Sequence, residues 1–359
     1  MDSLNKVKKT YEFKDLHLFC GSGGGRLGFR RADVKLAGLQ GNFRNLCGID
    51  VDPRACENYE YLTGDKAVCM DLFERRDYIA FHGQEPDETW RDATPEDIRK
   101  AANYEYPDLI FLSPPCKGFS GLLPQKTFET DKYQALNRLT VRGIFLALEA
   151  FKDDFPSFIF LENVPRIMSR GKKLLHTIMG MLEDYGYAVN GLPHDCGEIA
   201  GLGQHRKRYL LVARNLSKVS TFLYQPPKQR VKAIGEILNK VPMPDAPSAG
   251  PMHKLPRLQW KTWVRLALIS AGGDWRDLKK IAPKEYRLEH IPRGGGSHGV
   301  QDWNRPSHTV TGNAKVNGST AACIADPRLN LKNMYPSGYG VQAWNKASQT
   351  IRSAGRVIV

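Results

Sequence analysis

Short apolar runs alternate with amphipathic stretches through the first 214 residues of the chain. The runs have the length and composition of buried strands. They lie at Leu16–Phe19, Leu46–Asp50, Ala67–Met70, Leu109–Leu112, Phe158–Leu161 and Tyr209–Val212. Helical patterns between them cover 26–32, a stretch from residue 53, 136–151 and 172–185. This alternation predicts an α/β fold with a doubly wound, mostly parallel sheet that carries helices on both faces.

Two regions depart from this alternation. Residues 73–106 are polar, and Thr94 followed by Pro95 and Asp97 is typical of a capped helix start, so we interpret the segment as a surface insertion. From about residue 216 the chain becomes rich in proline and glycine, which indicates loops. The chain is therefore predicted to divide into an α/β domain, 1–215, and a smaller loop-rich domain, 216–359.

An internal repeat lies in the loop-rich region. Gly299–Val310 recurs as Gly340–Ile351, at an offset of 41 residues, with Trp and Asn in matching places. Self-similarity of this kind predicts a duplicated supersecondary unit.

Composition narrows the class of protein. The 359 residues are 41% hydrophobic, enough for a sizeable core, and no window approaches 18 consecutive apolar residues. Neither a membrane span nor a signal peptide is therefore expected. Seven cysteines without a CxxC pair argue against a disulfide framework and against a metal site, and they favour a reducing, cytoplasmic compartment.

The charge of the chain points to a polyanionic partner. The formal net charge is +14, and residues 216–304 alone carry 15 Lys/Arg against 7 Asp/Glu. A basic surface that serves only solubility would be spread more evenly. The asymmetry therefore favours a domain that faces nucleic acid.

Cys116 is the first candidate for chemistry. It follows the predicted strand Leu109–Leu112 and stands between Pro114-Pro115 and Lys117-Gly118-Phe119-Ser120. The two prolines end the strand, so the thiol lies on a rigid turn at the strand end, where ligands bind in open α/β sheets. A lone cysteine is usually a small core residue, but this setting favours a nucleophile.

A glycine-rich turn and two carboxylates end the first three strands. Gly23, Gly25 and Gly28 fit the weak dinucleotide pattern GxGxxG, whereas Asp50 and Asp71 close the next two strands. Glycines allow close backbone approach, and a carboxylate at a strand end can bind ribose hydroxyls. The set suits a nucleoside cofactor; turns and helix caps are the structural alternative.

Further polar residues lie at the ends of later strands. Glu162 follows an apolar run and could be a helix cap or a carboxylic acid that protonates a ring nitrogen. Arg206 and Arg208 alternate just before a strand, so they would share one side if the strand has begun, and they would lower the pKa of a nearby cysteine. His17, inside an apolar strand, is interpreted as a satisfied core histidine.

Together these residues resemble the C5-cytosine DNA methyltransferase family, over 15 to about 214 in order. Four motifs carry the resemblance, and Arg305–Thr311 is similar to the motif that follows the family's variable recognition region. They are Phe19-Cys20-Gly21-Ser22-Gly23, Pro115-Cys116-Lys117-Gly118-Phe119-Ser120, Glu162-Asn163-Val164 and Gln204-His205-Arg206-Lys207-Arg208.

The resemblance implies a Rossmann-like methyltransferase that uses S-adenosyl-L-methionine and releases S-adenosyl-L-homocysteine. It implies that Asp50 holds the ribose and Asp71 the adenine, with the remaining cofactor contacts from Phe19, Gly21, Gly23 and Pro114. The thiolate of Cys116 would attack C6 of a flipped cytosine in double-stranded DNA, Glu162 would protonate N3, and Arg206 and Arg208 would hold the base. The expected setting is prokaryotic or phage restriction–modification or self-protection.

One departure from the family leaves alternatives open. Its closing segment, with a Gly-Asn-Ser-Val-like motif, is not found, and the second repeat runs into the chain end. We expect a truncated chain; completion by a second polypeptide, or a dispensable segment, would also explain the departure. A monomer is expected. The alternatives are a tRNA cytosine-5 methyltransferase and a catalytically incomplete DNA-binding fragment; Cys116 argues against adenine amino-methylation, whose Ser-Pro-Pro tetrad ends in an aromatic residue.

Overall fold

A computed structural model gives the architecture of the chain. It describes residues 9–32, 34–36, 38–115, 130–221, 225–251, 253–254, 258–271, 275–281, 300–301 and 323–324. The chain forms two compact units, of which the first is Met1–Gly201 with Arg206–Arg230 and the second is Leu202–His205 with Val231–Val359. The predicted domain boundary at 215/216 stays a prediction.

The first unit is built on a mixed sheet of eight strands. The strands are β1 Lys9–Leu18, β2 Val34–Leu36, β3 Leu39–Asp50, β4 Ala67–Cys69, β5 Leu109–Leu112, β6 Phe158–Asn163, β7 Tyr187–Asp195 and β8 Lys207–Asn215. Their order is β2-β3-β1-β5-β6-β8-β7, and β4 pairs with β3. The expected α/β fold is confirmed, with parallel pairing among β4, β3, β1, β5 and β6.

The ends of the sheet differ from a parallel arrangement. β2 is antiparallel to β3, and β8 is antiparallel to both β6 and β7. Neither β2 nor β7 is predicted from the sequence. Antiparallel pairing reverses β8, so its first residues lie at the edge where the parallel strands end.

Eight helices of the first unit connect these strands among the described residues. They are α1 Gly24–Arg30, α2 Pro53–Thr63, α3 Arg75–His82, α4 Pro95–Ala101, α5 Asp131–Ala150, α6 Ile167–Arg170, α7 Lys172–Asp184 and α8 Cys196–Ala200. The start of α4 follows the predicted cap: Thr94 Oγ1 accepts from Asp97 N, and the Asp97 carboxylate accepts from Thr94 N. This reciprocal capping gives a hydrogen-bond partner to two backbone N–H groups that have none within the helix.

The segment 73–106 is not a surface insertion. Phe73, Ala93 and Ile98 belong to the same buried cluster as Leu16, Ile110 and the other central strand residues. Only a few residues of the short helices α3 and α4 are buried, and the rest are mostly polar. The sequence of this segment therefore shows no clear apolar pattern. The segment is therefore part of the helical layer on the sheet.

The second unit is described only in part. It contains α9 Ile234–Leu238, α10 Trp260–Ala267, two 3-10 turns, Pro247–Ala249 and Trp275–Lys280, and a parallel pair, β9 Val300–Gln301 with β10 Cys323–Ile324. Most of the 41-residue repeat and all of Arg305–Thr311 lie outside the described residues. Across both units, no described helix has the length and apolar character needed to cross a membrane.

Candidate active site at the carboxyl edge of the sheet

The strand register brings the ends of four parallel strands to one level of the sheet. Leu18 is paired with Ile49 on one side and with Leu112 on the other, and Leu112 is paired with Leu161. The next residue of each strand therefore lies at the carboxyl edge. These residues are Phe19, Asp50, Ser113 and Glu162.

The loop after β1 has a backbone that glycine permits. Gly21 has φ +51° and Gly23, which precedes α1, has φ +87°. A Cβ on Gly23 would lie 2.6 Å from Thr63 Cγ2, so α2 packs directly against this residue. Among the described residues, a Cβ on Gly21 would meet no atom within 4 Å, so the backbone there is open on the side of this Cβ. The loop is thus close-packed on one side and open on the other.

Phe19 carries positive φ without being glycine. Its φ is +55°, and Ser113 Oγ donates to its carbonyl at 2.9 Å. Ser113 thereby ties the turn after β5 to the glycine-rich loop after β1, and Pro114 is buried. The ring of Phe19 packs on α5 at Gly143, where a Cβ would lie 2.9 Å from the ring. Strained backbone of this kind is found at functional sites.

Asp50 links the first two strand ends. One carboxylate oxygen accepts from Gly21 N at 2.9 Å, and the other accepts from Asp52 N at 3.1 Å. A carboxylate oxygen has two lone pairs, so each retains acceptor capacity beside the open face of the loop.

Asp71 is held two residues beyond β4. Its oxygens accept from Phe73 N at 2.9 Å and from the indole Nε1 of Trp90 at 3.2 Å. The side chain is half-buried. Trp90 lies in the segment interpreted from sequence as an insertion, and that interpretation hid its part in the site.

A buried polar network lies beneath α1. Arg26 is 3% exposed; its Nε donates to Asp65 at 2.6 Å and its Nη1 to Asp15 at 3.3 Å. Asp15 also accepts from Asn45 at 2.8 Å and lies 2.8 Å from His17 Nε2. His17 is 1% exposed, so it is a satisfied core histidine as predicted. The network fixes α1, which begins at the glycine-rich loop after β1.

Glu162 is paired with Arg208. Arg208 Nε lies 2.8 Å from Glu162 Oε1, and the two side chains are 17% and 31% exposed respectively. The sequence places these residues 46 positions apart. The antiparallel register, in which Asn163 faces Tyr209, brings them together at the carboxyl edge.

Arg206 lies one residue before β8. Its N–H donates to Asp195 Oδ1 at 3.0 Å, and its carbonyl accepts from Cys196 N at 2.9 Å. Because β8 begins at Lys207, strand alternation does not itself orient Arg206 as the sequence analysis supposed. The Asp195 carboxylate fixes the backbone of Arg206 through this N–H.

Cys196 is a thiol at this site that sequence analysis missed. Burial raises the pKa of the Cys196 thiol, while the charges of Arg206 and Arg208 lower it and that of Glu162 raises it. All three predicted groups are therefore near Cys196. Its place just after β7 was hidden because β7 itself was not predicted. Cys116 lies outside the described residues.

Asn163 leaves one donor unsatisfied within the described part of the chain. Its Oδ1 accepts from Val164 N at 2.8 Å, but its Nδ2 has no hydrogen-bond partner although the residue is 2% exposed. A buried amide donor of this kind is costly and marks a strained or functional position.

The donor set suits a nucleoside rather than a metal. The open face at Gly21 adjoins Asp50, whose oxygens can accept from a ribose diol, and Asp71 can accept from an amino group. Among the described residues no three His, Cys, Asp or Glu side chains group as a metal site requires.

The chain is similar in sequence to a known protein family and to several of its members. The family model described as "C-5 cytosine-specific DNA methylase" matches residues 13–262. The type II methyltransferase M.PspPI of Psychrobacter sp. is 24% identical over 85% of this chain and 65% of its own. M.Eco47II of Escherichia coli is 25% identical over 82% and 63%. The chain thus spans less than two thirds of the length of these relatives.

Solved structures are also similar to this one. The Entamoeba histolytica methyltransferase EhMeth aligns with a TM-score of 0.47 and 18% identity, over 66% of this chain and 62% of its own. A DNA modification methyltransferase from an Escherichia coli prophage aligns with a TM-score of 0.42 and 19% identity, over 65% and 56%. By its family match over residues 13–262, the chain belongs to the C-5 cytosine-specific DNA methylase family.

Proposed function

We propose that this protein transfers a methyl group from S-adenosyl-L-methionine to C5 of a cytosine flipped out of duplex DNA. The observation that carries the proposal is the meeting of the Glu162–Arg208 pair with Phe19 and Asp50 at one edge of the sheet. An acid beside a nucleoside-binding loop is the arrangement that activation of a cytosine ring requires.

The chemistry starts at the cytosine ring. The thiolate of Cys116 bonds to C6, Glu162 gives a proton to N3, and C5 becomes enamine-like and nucleophilic. C5 then takes the methyl group and loses its proton to a base. N3 returns its proton to Glu162 as the bond between Cys116 and C6 breaks. Arg208 orients Glu162, and Arg206 is proposed to bind the polar edge of the base.

The cofactor would be held by the loop and the two carboxylates. S-adenosyl-L-methionine supplies an electrophilic methyl group when bound. Asp50 would accept from the ribose hydroxyls, Asp71 from the adenine amino group, and the backbone at Gly21 and Gly23 would face the rest. Phe19 and Pro114 would border the same space. S-adenosyl-L-homocysteine would be the product.

The biological setting is proposed from the relatives and the charge. Several relatives are type II methyltransferases of bacteria, which favours a cytoplasmic modification enzyme of a prokaryote or phage. The +8 surplus of residues 216–304 supports their role as the DNA-recognition region. We propose that the protein acts as a monomer.

The covalent step offers a test with a matched cysteine control. Duplex DNA that contains 5-fluorocytosine cannot lose fluorine from C5 as it loses a proton, so the adduct to Cys116 persists. With S-adenosyl-L-methionine present, the wild-type protein and Cys196→Ser should both form the adduct, because the raised pKa of Cys196 disfavours its thiolate. Cys116→Ser should form none. An adduct on Cys116→Ser, or its loss only in Cys196→Ser, would refute the assignment.

A further inference from the structure

A cleft of about 1050 Å³ lies on the first unit, and its lining residues do not include those of the loop after β1. Its walls are α3, the long helix α5, and the turn between α6 and α7. The proposed chemistry uses none of its residues.

Basic side chains outnumber acidic ones in the lining of the cleft. Six basic side chains face two acidic ones, Glu74 and Asp77. The basic residues are Arg76, Arg138, Arg142, Arg170, Lys172 and Lys173. Arg138 Nε lies 2.8 Å from Asp77, and Arg142 Nη1 lies 3.2 Å from Glu74. Arg76 Nε also lies 3.5 Å from Asp77 Oδ1. Six cations against two carboxylates give the lining a net charge of +4.

Arg142 serves the framework rather than a ligand. Its guanidinium also donates to the carbonyls of Leu72 and Ala93, both at 3.0 Å, and its side chain is 16% exposed. It therefore fastens the segment around α3 and α4 to α5. The cations that a ligand can reach are the more exposed ones, which include Lys172 and Lys173.

Lys172 and Lys173 stand where helix stability disfavours them. Both are exposed and occupy the first turn of α7, which contains no acidic residue. The N-terminal turn of a helix carries partial positive charge and is stabilised by anions, so two lysines there raise the local potential. The two lysines therefore do not stabilise α7 through its dipole, but they would attract an anion in the cleft.

Three cations of the cleft follow the carboxyl end of a central strand closely along the chain. Arg170, Lys172 and Lys173 follow β6 within ten residues, and Glu162 lies at the carboxyl end of that strand. The cleft also contains Val141 and Phe145, and the side chain of Phe145 is 43% exposed. Cations at the rim with an apolar floor match a chain of phosphates joined by sugars.

We infer that this cleft binds the sugar–phosphate backbone of duplex DNA that flanks the target cytosine, an inference that rests on the proposed function. Lys172 and Lys173 contact phosphates, and Phe145 packs against deoxyribose. Such contacts position the duplex without reading its sequence. The cleft therefore adds affinity that depends strongly on salt, since each phosphate contact releases condensed counterions.

The salt dependence of DNA binding tests this inference. Lys172→Gln/Lys173→Gln should lower the slope of log K against log salt by about 2, since each lost phosphate contact removes about 0.9. It should also raise the KM for DNA and leave kcat and the KM for S-adenosyl-L-methionine unchanged. Lys172→Arg/Lys173→Arg should restore the slope. The control Lys100→Gln/Lys152→Gln removes two exposed lysines that precede β5 and β6, at the opposite edge, and should keep the wild-type slope.

Each alternative outcome has its own meaning. A wild-type slope in Lys172→Gln/Lys173→Gln, with DNA methylation intact, would overturn the cleft inference and leave the proposed function standing. A slope change seen with tRNA or polyglutamate but not with duplex DNA would also overturn it. The third outcome combines two results: Lys172→Gln/Lys173→Gln lowers the slope with duplex DNA, but the wild-type protein methylates no cytosine. This outcome would support the cleft and refute the proposed function.

Discussion

At the scale of single residues, the site depends on partners that no local motif contains. Glu162 could be predicted as an acid from its place after an apolar run, but its contact with Arg208 depends on the reversal of β8. Cys196 could not be predicted, because the strand that precedes it was missed. The role of Asp195 in holding Arg206 was hidden for the same reason.

Replacement of Glu162 tests the proposed acid. Glu162→Gln removes the transferable proton but preserves the size of the side chain, so the rate of methyl transfer should fall by about 10²–10⁴-fold. A single-turnover measurement with bound duplex DNA isolates this step. DNA affinity should stay near the wild-type value. A rate within a few-fold of wild type would show that Glu162 is not the acid.

Replacement of Arg26 tests the buried network. Arg26→Gln leaves Asp15 buried without its cation, which should lower the free energy of unfolding by about 3–5 kcal/mol. Chemical denaturation measures this change. The control Arg54→Gln alters an exposed side chain of α2 and should change stability by less than about 0.5 kcal/mol. Equal stabilities of the two variants would contradict the role assigned to Arg26.

At the scale of elements, the parallel strands and their helices were predictable and the antiparallel ones were not. Apolar runs such as Leu109–Leu112 identify strands, but periodicity carries no information on strand direction. β2 has only three residues. The apolar pattern of β7 is interrupted by Asn190, Gly191, Pro193 and His194. The layer 73–106 was misjudged because its surface is polar and its buried residues are few.

The packing of Phe19 on α5 gives a prediction at this scale. Gly143→Ala places a methyl group 2.9 Å from the ring, and overpacking of this kind costs about 1–3 kcal/mol. The displaced ring should weaken binding of S-adenosyl-L-methionine by about tenfold, since 1.4 kcal/mol corresponds to that factor. Isothermal titration calorimetry measures the change.

Gly180→Ala is the matched control for this variant. Gly180 lies in α7, and a Cβ there would meet no atom within 4 Å. Alanine should therefore stabilise the helix by about 0.5–1 kcal/mol and leave cofactor affinity unchanged. An unchanged affinity in Gly143→Ala would separate Phe19 from the cofactor site.

At the scale of the whole molecule, the positive charge extends beyond the loop-rich region. The net charge of +14 predicted a polyanionic partner, and the cleft on the first unit shows that not all of this charge lies in the loop-rich region. The sequence could not predict the cleft, because its cations come from four helices, α3, α5, α6 and α7, which lie in separate stretches of the chain. The region that we propose to recognise DNA, residues 216–304, is identified only by its basic composition.

The most direct test of the central claim is the identity of the methylated nucleoside. Duplex DNA incubated with the purified protein and S-adenosyl-L-methionine is digested to nucleosides and analysed by mass spectrometry. The account predicts 5-methyldeoxycytidine, and none with Cys116→Ser. N6-methyldeoxyadenosine in the duplex, or 5-methylcytidine only when tRNA replaces DNA, would contradict it.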